Sequence, residues 1–188
     1  MDMNKYCTDI KLDIDPIISF DLLKTLPDVY FNRVPLDWIN PEIKELFVRL
    51  NLRLFIVAYL KLNPNEVSLP HADDPLDVKD MAKLNFSYGP DHLMTWYKFR
   101  QEDIPQGTTY VIKATNTEHG GKYTIFSYDD LTELHSQVVG KPSIIQAGIP
   151  HGVKNYNQTR HCFSIPLRDQ NLQPIPMATA LSIFEKFL

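Results

Sequence analysis

The residues best suited to chemistry are a histidine and an aspartate two positions apart, His71 and Asp73. On a β-strand such residues point to the same face, with Cα atoms roughly 6.5–7 Å apart. They can therefore bind one cation, because metal bonds to their donor atoms are about 2.0–2.2 Å long. His151, eighty residues after His71, could supply a second imidazole. Two imidazoles and one carboxylate on one side of a metal are typical of non-haem Fe(II) sites with open coordination positions.

A candidate carboxylate-binding residue follows the second histidine. Arg160 comes nine residues after His151 and begins a predicted strand. Strand periodicity places Arg160, Cys162 and Ser164 on the same face of that strand. A buried guanidinium is a natural partner for a planar carboxylate, because it donates two parallel hydrogen bonds. The pattern therefore predicts a carboxylate site beside the possible metal site.

In this pattern the sequence resembles the 2-oxoglutarate-dependent Fe(II) oxygenases, with closer similarity to their aspartyl/asparaginyl β-hydroxylase-like branch. The resemblance covers residues 67–167 and rests on the three candidate ligands together with Arg160. It implies that the ligands bind Fe(II) and that Arg160, helped by Ser164, binds the distal carboxylate of 2-oxoglutarate. It also implies the activity, in which 2-oxoglutarate and O2 are converted to succinate and CO2 while a C–H bond of a small-molecule or peptide substrate is hydroxylated.

The likeness to the hydroxylase branch rests on further residues. Lys83 and Asn85 stand where that branch has a basic-x-His pair. There they would direct a cation and an amide toward the other carboxylate of 2-oxoglutarate, although both could equally face outward on an amphipathic strand. Trp96 and Tyr97 resemble an aromatic pair that would contact substrate, and since neighbouring strand residues diverge, at most one can line a site. The implied substrate is aspartyl/asparaginyl-type or another small amino-acid-like molecule.

One feature departs from that branch. Its vertebrate members bind iron through two histidines without an acidic ligand, whereas Asp73 is present here. The chain therefore has the fuller triad of ligands.

Composition excludes several other classes of protein. The chain has 188 residues and a net charge of −4, with no block of like charges, which argues against nucleic acid as a partner. Its longest apolar run, residues 54–60, is too short to cross a membrane, and the N-terminus does not resemble a signal peptide. Cys7 and Cys162 are far apart and form no disulfide framework. We expect a cytoplasmic protein without a membrane partner.

The pattern of short segments predicts a mainly β fold. About eight short strands separated by turn signals indicate a sandwich or barrel, and their spacing is too tight for parallel βαβ crossovers. We predict a single-domain double-stranded β-helix, that is, a cupin-like jelly roll. A helical extension (residues 1–52) would pack outside the core (residues 53–168), and a C-terminal segment (residues 169–188) would contain a short helix.

Local sequence signals predict individual helices and a hairpin. Pro41 and the apolar spacing after it predict a helix over residues 41–51. Acidic residues suited to a first turn predict another over residues 129–138, which would carry His135. A hairpin is expected near residues 108–128, with His119 at its exposed tip. His92 is expected in a loop and, like His135, is no ligand candidate.

Two other functions fit the same residues. A cupin-like metal-binding isomerase or a sugar-binding jelly roll would keep the fold without oxygenase activity, although most cupins bring several histidines near one another. A binding or structural jelly roll would leave these residues incidental, because charged loop residues are usually solvated. Such a protein would bind neither a divalent metal nor 2-oxoglutarate tightly.

Overall fold

A computed structural model of the chain describes residues 5–14, 17–26, 31–73, 80–100, 108–112 and 121–188. The strands are, in chain order, β1 (Cys7–Asp9), β2 (Phe31–Val34), β3 (Val57–Leu62), β4 (Val67–Asp73), β5 (Ala82–Tyr88), β6 (His92–Phe99), β7 (Thr108–Ile112), β8 (Gly121–Ile125), β9 (Leu131–Val139), β10 (Ser143–Gln146), β11 (His151–Lys154) and β12 (Arg160–Pro166). The α-helices are α1 (Phe20–Thr25), α2 (Pro41–Arg49) and α3 (Met177–Ile183).

The strands form two six-stranded antiparallel sheets. Sheet I has the order β1-β10-β5-β12-β3-β2, and sheet II has the order β7-β8-β4-β11-β6-β9. The chain alternates between them, since β3, β5, β10 and β12 lie in sheet I while β4, β6 and β11 lie in sheet II. This alternation is the jelly-roll arrangement, in which two antiparallel sheets wind together as a double-stranded β-helix. The predicted fold class is confirmed.

The two faces of sheet I have different environments. Leu84, Phe86 and Phe163 face a large apolar core that also contains buried side chains of α2 and α3. The alternate residues of the same strands, such as Lys83 and Asn85 on β5, face the space between the sheets. The helices therefore cover one face of sheet I and leave the other face to line a cavity.

Helix α2 forms as its sequence predicts. Pro41 occupies the first turn, where its missing N–H is not needed, and the Asn40 side chain accepts a hydrogen bond from the Glu42 N–H at 2.9 Å. Ile43 and Phe47 recur on one face and are completely buried. Burying each such side chain stabilises the fold by about 1.5–3 kcal/mol.

The helix predicted over residues 129–138 is wrong. The structure has strand β9 there, paired with β6 from the Leu131–Phe99 pair to the Val139–His92 pair. The acidic residues fall in a short 3-10 turn, Tyr128–Asp130, at whose start the Ser127 hydroxyl accepts a hydrogen bond from the Asp129 N–H. The acidic residues therefore do begin a single helical turn, but the chain after that turn forms a strand because it pairs with β6.

The first 52 residues contribute strands as well as helices. The sequence predicts helices and loops there, whereas β1 pairs with β10 and β2 pairs with β3, so both strands extend sheet I. They are three and four residues long, which is too short for period-2 alternation to identify them. In the predicted hairpin, β7 and β8 do pair, while its tip with His119 lies outside the described residues.

None of the helices in the described ranges is long and apolar enough to cross a lipid bilayer.

Candidate metal and cofactor site

The register between β4 and β11 brings the two predicted histidine ligands together. His71 lies directly opposite His151 on these neighbouring strands, and their ring centroids are 4.5 Å apart. The next pair in the register is Val153 with Ser68. This step covers two residues on β11 but three on β4, so β4 contains a bulge. A β-bulge changes which face later side chains point to, and bulges are common beside active sites. Here Ser68, His71 and Asp73 all line one cavity between the sheets.

Each histidine ring is held by the backbone two residues before it. The Nδ1 atom of His71 is 2.8 Å from the Leu69 carbonyl oxygen, and Nδ1 of His151 is 2.9 Å from that of Ile149. A carbonyl oxygen can only accept, so Nδ1 carries the proton in both rings. The Nε2 atoms are then the ones that could bind a metal, and this is how proteins usually orient metal-binding histidines.

His151 is uncharged at neutral pH. Burial lowers its pKa to about 3, and the neighbouring His71 lowers it further while Asp73 opposes the shift. Its contact with Asp73 at 3.8 Å is therefore not an ion pair at pH 7. A neutral imidazole is the form that coordinates a metal ion.

Asp73 stands between the histidines and a lysine. Its Oδ2 atom is 3.8 Å from Nε2 of His151 and 2.7 Å from Nζ of Lys83. Burial alone would raise the pKa of Asp73, but Lys83 and then the two histidines outweigh burial and hold it below its usual value. The carboxylate is therefore ionised, as a metal ligand must be.

The side chains of His71, Asp73 and His151 are close enough to bind one divalent iron ion, but they are not yet arranged as a complete coordination site. Two ligands of one ion lie at most about 4.4 Å apart when each bond is about 2.0–2.2 Å, and 3.8 Å between Asp73 and His151 is within that limit. Within the described ranges, no group of three or more His, Cys, Asp or Glu side chains is already arranged to hold a metal. The Asp73 carboxylate is turned instead toward Lys83.

The candidate ligands share a cavity of about 230 Å³ with the residues predicted to bind the co-substrate. Lys83 and Asn85 reach it from β5, and Arg160 and Ser164 reach it from β12. Ser164 lies directly opposite Asn85 across the sheet, so the two polar side chains are neighbours. The structure thus brings the predicted iron ligands and the four predicted co-substrate residues to one cavity.

The two aromatic residues predicted to contact substrate are not among the residues lining this cavity. Trp96 is completely buried, and its indole N–H donates to the Gln146 carbonyl oxygen at 2.8 Å. Tyr97 packs against a separate small cluster with Phe126. Because they are adjacent on β6, the two side chains point to opposite faces of the sheet, and each packs against other residues of the protein.

Arg160 is a buried cation with few partners. Its side chain is almost inaccessible to solvent, its Nη2 atom is 3.4 Å from the Ser87 hydroxyl, and its Nε has no hydrogen-bond partner among the described residues. The Oδ1 atom of Asn85 in the same cavity also lacks a partner there. Unpaired buried polar groups destabilise a protein unless a ligand satisfies them. The Arg160 guanidinium is therefore suited to bind an anion that enters the cavity.

Two further cations line the cavity that the sequence interpretation missed. Arg33 reaches it from β2, and Arg168 reaches it two residues after the end of β12. Arg168 lies an even number of residues after Arg160 and so points to the same face as Arg160. This could have been inferred from the sequence once the strand was predicted. Arg33 lies on a strand that was not predicted, and no signal identified it.

His92 lies at the start of β6, and not in a loop as predicted, and it is completely buried. Burial lowers its pKa to about 2, and the charge of Arg160 lowers it further, while the nearby backbone of Pro90 opposes the shift. The imidazole is therefore neutral in the folded protein at any physiological pH.

The burial of neutral His92 predicts a dependence of stability on pH. Below about pH 6.5 the unfolded chain binds a proton at His92 that the folded protein excludes, so the free energy of unfolding should fall as the pH decreases. The slope from this residue is at most about 1.4 kcal/mol per pH unit. The free energy of unfolding, measured with urea between pH 7 and pH 5, should change less with pH for His92→Leu than for the unmodified protein. Equal slopes would contradict the buried neutral state.

Comparisons with known proteins find no match in sequence and only distant similarity in structure. No protein-family model matches the sequence, and no protein of curated function is detectably similar to it in sequence. Structural similarity is found to vicilin from Corylus avellana (hazelnut), with 8% identity, a TM-score of 0.36, and coverage of 81% of this chain and 33% of vicilin. Oxalate oxidase in complex with the substrate analogue glycolate matches with 11% identity and a TM-score of 0.35, covering 95% of this chain and 92% of that chain.

A third similar structure is peruvianin-I, a cysteine peptidase from Thevetia peruviana latex, with 14% identity and a TM-score of 0.39, covering 88% of this chain and 81% of that chain. The present chain spans about a third of the hazelnut vicilin chain. Such low identities and TM-scores identify no family and no activity.

Proposed function

We propose that the protein is an Fe(II)- and 2-oxoglutarate-dependent oxygenase that hydroxylates a small substrate. One observation carries the proposal: His71 and His151 face each other across β4 and β11, beside Asp73, in the cavity that also holds the buried cation Arg160. A metal site and an anion site that share one cavity are what this chemistry requires.

The iron ligands in this proposal are His71, Asp73 and His151. The ion and 2-oxoglutarate, when bound, would supply the oxidising chemistry with O2 that converts a C–H bond to an alcohol. The protein's own residues would hold and orient these groups. The backbone carbonyls that fix the Nδ1 protons of both histidines support this role, because they leave the rings little freedom to turn.

The co-substrate is a dicarboxylate, and the cavity offers a cation for each carboxylate. Arg160 would bind the distal carboxylate through its planar guanidinium. Lys83, whose Nζ is 2.7 Å from Asp73, would lie beside the carboxylate nearer to the metal. Asn85 and Ser164 face each other on neighbouring strands and would donate further hydrogen bonds.

The electrostatic character of the cavity favours this function over a sugar-binding jelly roll. Its described lining contains cations on three of its strands and a single carboxylate, Asp73. A neutral sugar would accept hydrogen bonds from these cations but would leave their charge uncompensated, whereas a dicarboxylate compensates it. We propose an aspartyl/asparaginyl-type or other small amino-acid-like substrate, and a cytoplasmic setting in which the buried free thiols of Cys7 and Cys162 stay reduced.

The proposal predicts a visible absorption band under anaerobic conditions. Addition of Fe(II) and 2-oxoglutarate to the protein should give the weak charge-transfer absorption that 2-oxoglutarate would produce on chelating the ion. Succinate, which lacks the keto group, is the matched control and should give no band. The absence of a band with 2-oxoglutarate, together with no succinate formation in air, would contradict the proposed function.

A further inference from the structure

One edge of the cavity combines charged and apolar side chains that the proposed cofactors do not use. It is formed by β2, by the two residues before β3 and by the chain after β12, and its side chains are Phe31, Arg33, Phe55, Ile56 and Arg168. Phe55 is 47% exposed to solvent, so this edge includes the rim of the cavity. We call it the β2 edge.

The register of sheet I sets the distance between Arg33 and the cofactor residue Asn85. Arg33 lies opposite Ala58, Ala58 lies opposite Ser164, and Ser164 lies opposite Asn85. Three strand spacings of about 4.8 Å separate the backbones of Arg33 and Asn85, which is about 14 Å. A small ligand bound between Lys83 and Arg160 therefore leaves space near Arg33 for a second bound molecule.

The charges of the cavity support a second anion. The described lining carries four cations, Arg33, Lys83, Arg160 and Arg168, against one carboxylate, Asp73. Loading with Fe(II) and doubly charged 2-oxoglutarate adds equal and opposite charge, so the positive excess is unchanged. Lys83 is paired with Asp73, and Arg160 would be paired with the co-substrate. Two arginines are left to bind another anion.

Neither arginine of the β2 edge has a strong partner among the described residues. The Nε atom of Arg33 is buried there without a hydrogen-bond partner. Nη1 of Arg168 is 3.5 Å from the Leu172 carbonyl oxygen, at the limit of a hydrogen bond. Burial is the cause that lowers the pKa of both guanidinium groups. Half-buried cations that lack close partners are stabilised when an anion binds beside them.

We infer that the substrate is a small anionic molecule with an apolar body, whose anionic group binds Arg33 and Arg168 and whose body contacts Phe31 and Phe55. The inference rests on the proposed function, because it places the substrate in the cavity that would hold iron and 2-oxoglutarate. It narrows the amino-acid-like class to members that carry a negative charge near an apolar group.

A pair of probes that differ only in charge tests the inference. Calorimetric titration of the full chain, without metal or 2-oxoglutarate, would compare 4-phenylbutyrate with the uncharged 4-phenylbutanamide. We expect the acid to bind at least about tenfold more tightly, since a charge-assisted hydrogen bond is worth more than a neutral one. Equal affinities for acid and amide would overturn the inference.

Substitutions then locate the binding site. Arg33→Gln should weaken binding of the acid about tenfold and leave binding of the amide unchanged, and Arg168→Gln should do the same independently. Arg49→Gln, which removes an equal charge from the exposed end of α2, is the control and should change neither affinity. Thermal unfolding of each variant checks that it is folded. Loss of acid binding in Arg160→Gln but not in Arg33→Gln would place the acid in the co-substrate site and overturn the inference.

The two proposals can fail separately. Binding of the acid that depends on Arg33, in a protein that gives no Fe(II)/2-oxoglutarate band, would keep the anion site and refute the oxygenase. A normal band in a protein that binds acid and amide equally would keep the oxygenase and refute the anion site.

Discussion

His151→Ala is expected to weaken Fe(II) binding by at least about 100-fold, because loss of a direct ligand should exceed the 10–100-fold effect of changing a residue behind one. His151 is almost completely buried, and its Nδ1 proton is held by the Ile149 carbonyl, so its Nε2 is the ring atom directed to the candidate ion. Anaerobic calorimetric titration with Fe(II), with Mn(II) as an oxygen-stable substitute, measures the change. Circular dichroism would verify that the variant is folded.

His71→Ala should also weaken Fe(II) binding strongly, since its imidazole lies directly opposite that of His151 across the β4–β11 pair. His135→Ala is the matched control. His135 lies on β9, its ring stacks on Tyr6 at 5.5 Å, and it is not among the residues lining the cavity. Its replacement should leave metal affinity unchanged. Turnover of 2-oxoglutarate that persists in both His71→Ala and His151→Ala would refute the ligand assignment.

The candidate site could be predicted largely from residue types and spacing. His71, Asp73 and His151 were identified because strand alternation and the distance to Arg160 restrict which side chains can meet. The sequence did not reveal the bulge between Ser68 and His71, which changes the face to which the later side chains point. Bulges depend on pairing with β11, far along the chain, and not on local sequence.

The fold was predictable in class but not in every element. Short apolar segments with turn signals between them gave the jelly roll, because only antiparallel sheets connect strands so closely. The error at β9 came from weighing local helix signals at Asp129 and Asp130 above a pairing with β6 that extends over most of the strand. Secondary-structure propensity is a weak constraint when tertiary pairing competes with it.

The cations of the β2 edge illustrate the same limit at the level of function. Arg33 becomes part of the cavity only because β2 adds to the edge of β3, so its role depends on a pairing between short segments. Arg168 could be extrapolated from the alternation of β12. Charge complementarity in a cavity is therefore visible only after the strands that build the cavity have been placed.

Arg160→Met is expected to weaken 2-oxoglutarate binding by at least about 100-fold. Two charge-assisted hydrogen bonds of about 1.5–3 kcal/mol each would be lost, and about 1.4 kcal/mol corresponds to a factor of ten. Arg160→Lys keeps the charge but loses the planar fork, so its affinity should fall between those of Arg160→Met and the unmodified protein. Calorimetric titration with 2-oxoglutarate in the presence of Mn(II) measures all three.

The same substitution should act in the opposite direction on the stability of the unliganded protein. Arg160 is almost completely buried, and its Nε has no partner among the described residues, so the free protein bears the cost of a desolvated cation. Methionine matches the aliphatic stem of arginine and carries no charge, and replacing a poorly paired buried ion with an apolar side chain is often neutral or stabilising. The free energy of unfolding of Arg160→Met should therefore be at least that of the unmodified protein, while 2-oxoglutarate affinity collapses. A structural role for Arg160 would give the reverse, with lower stability and an unchanged dissociation constant for 2-oxoglutarate.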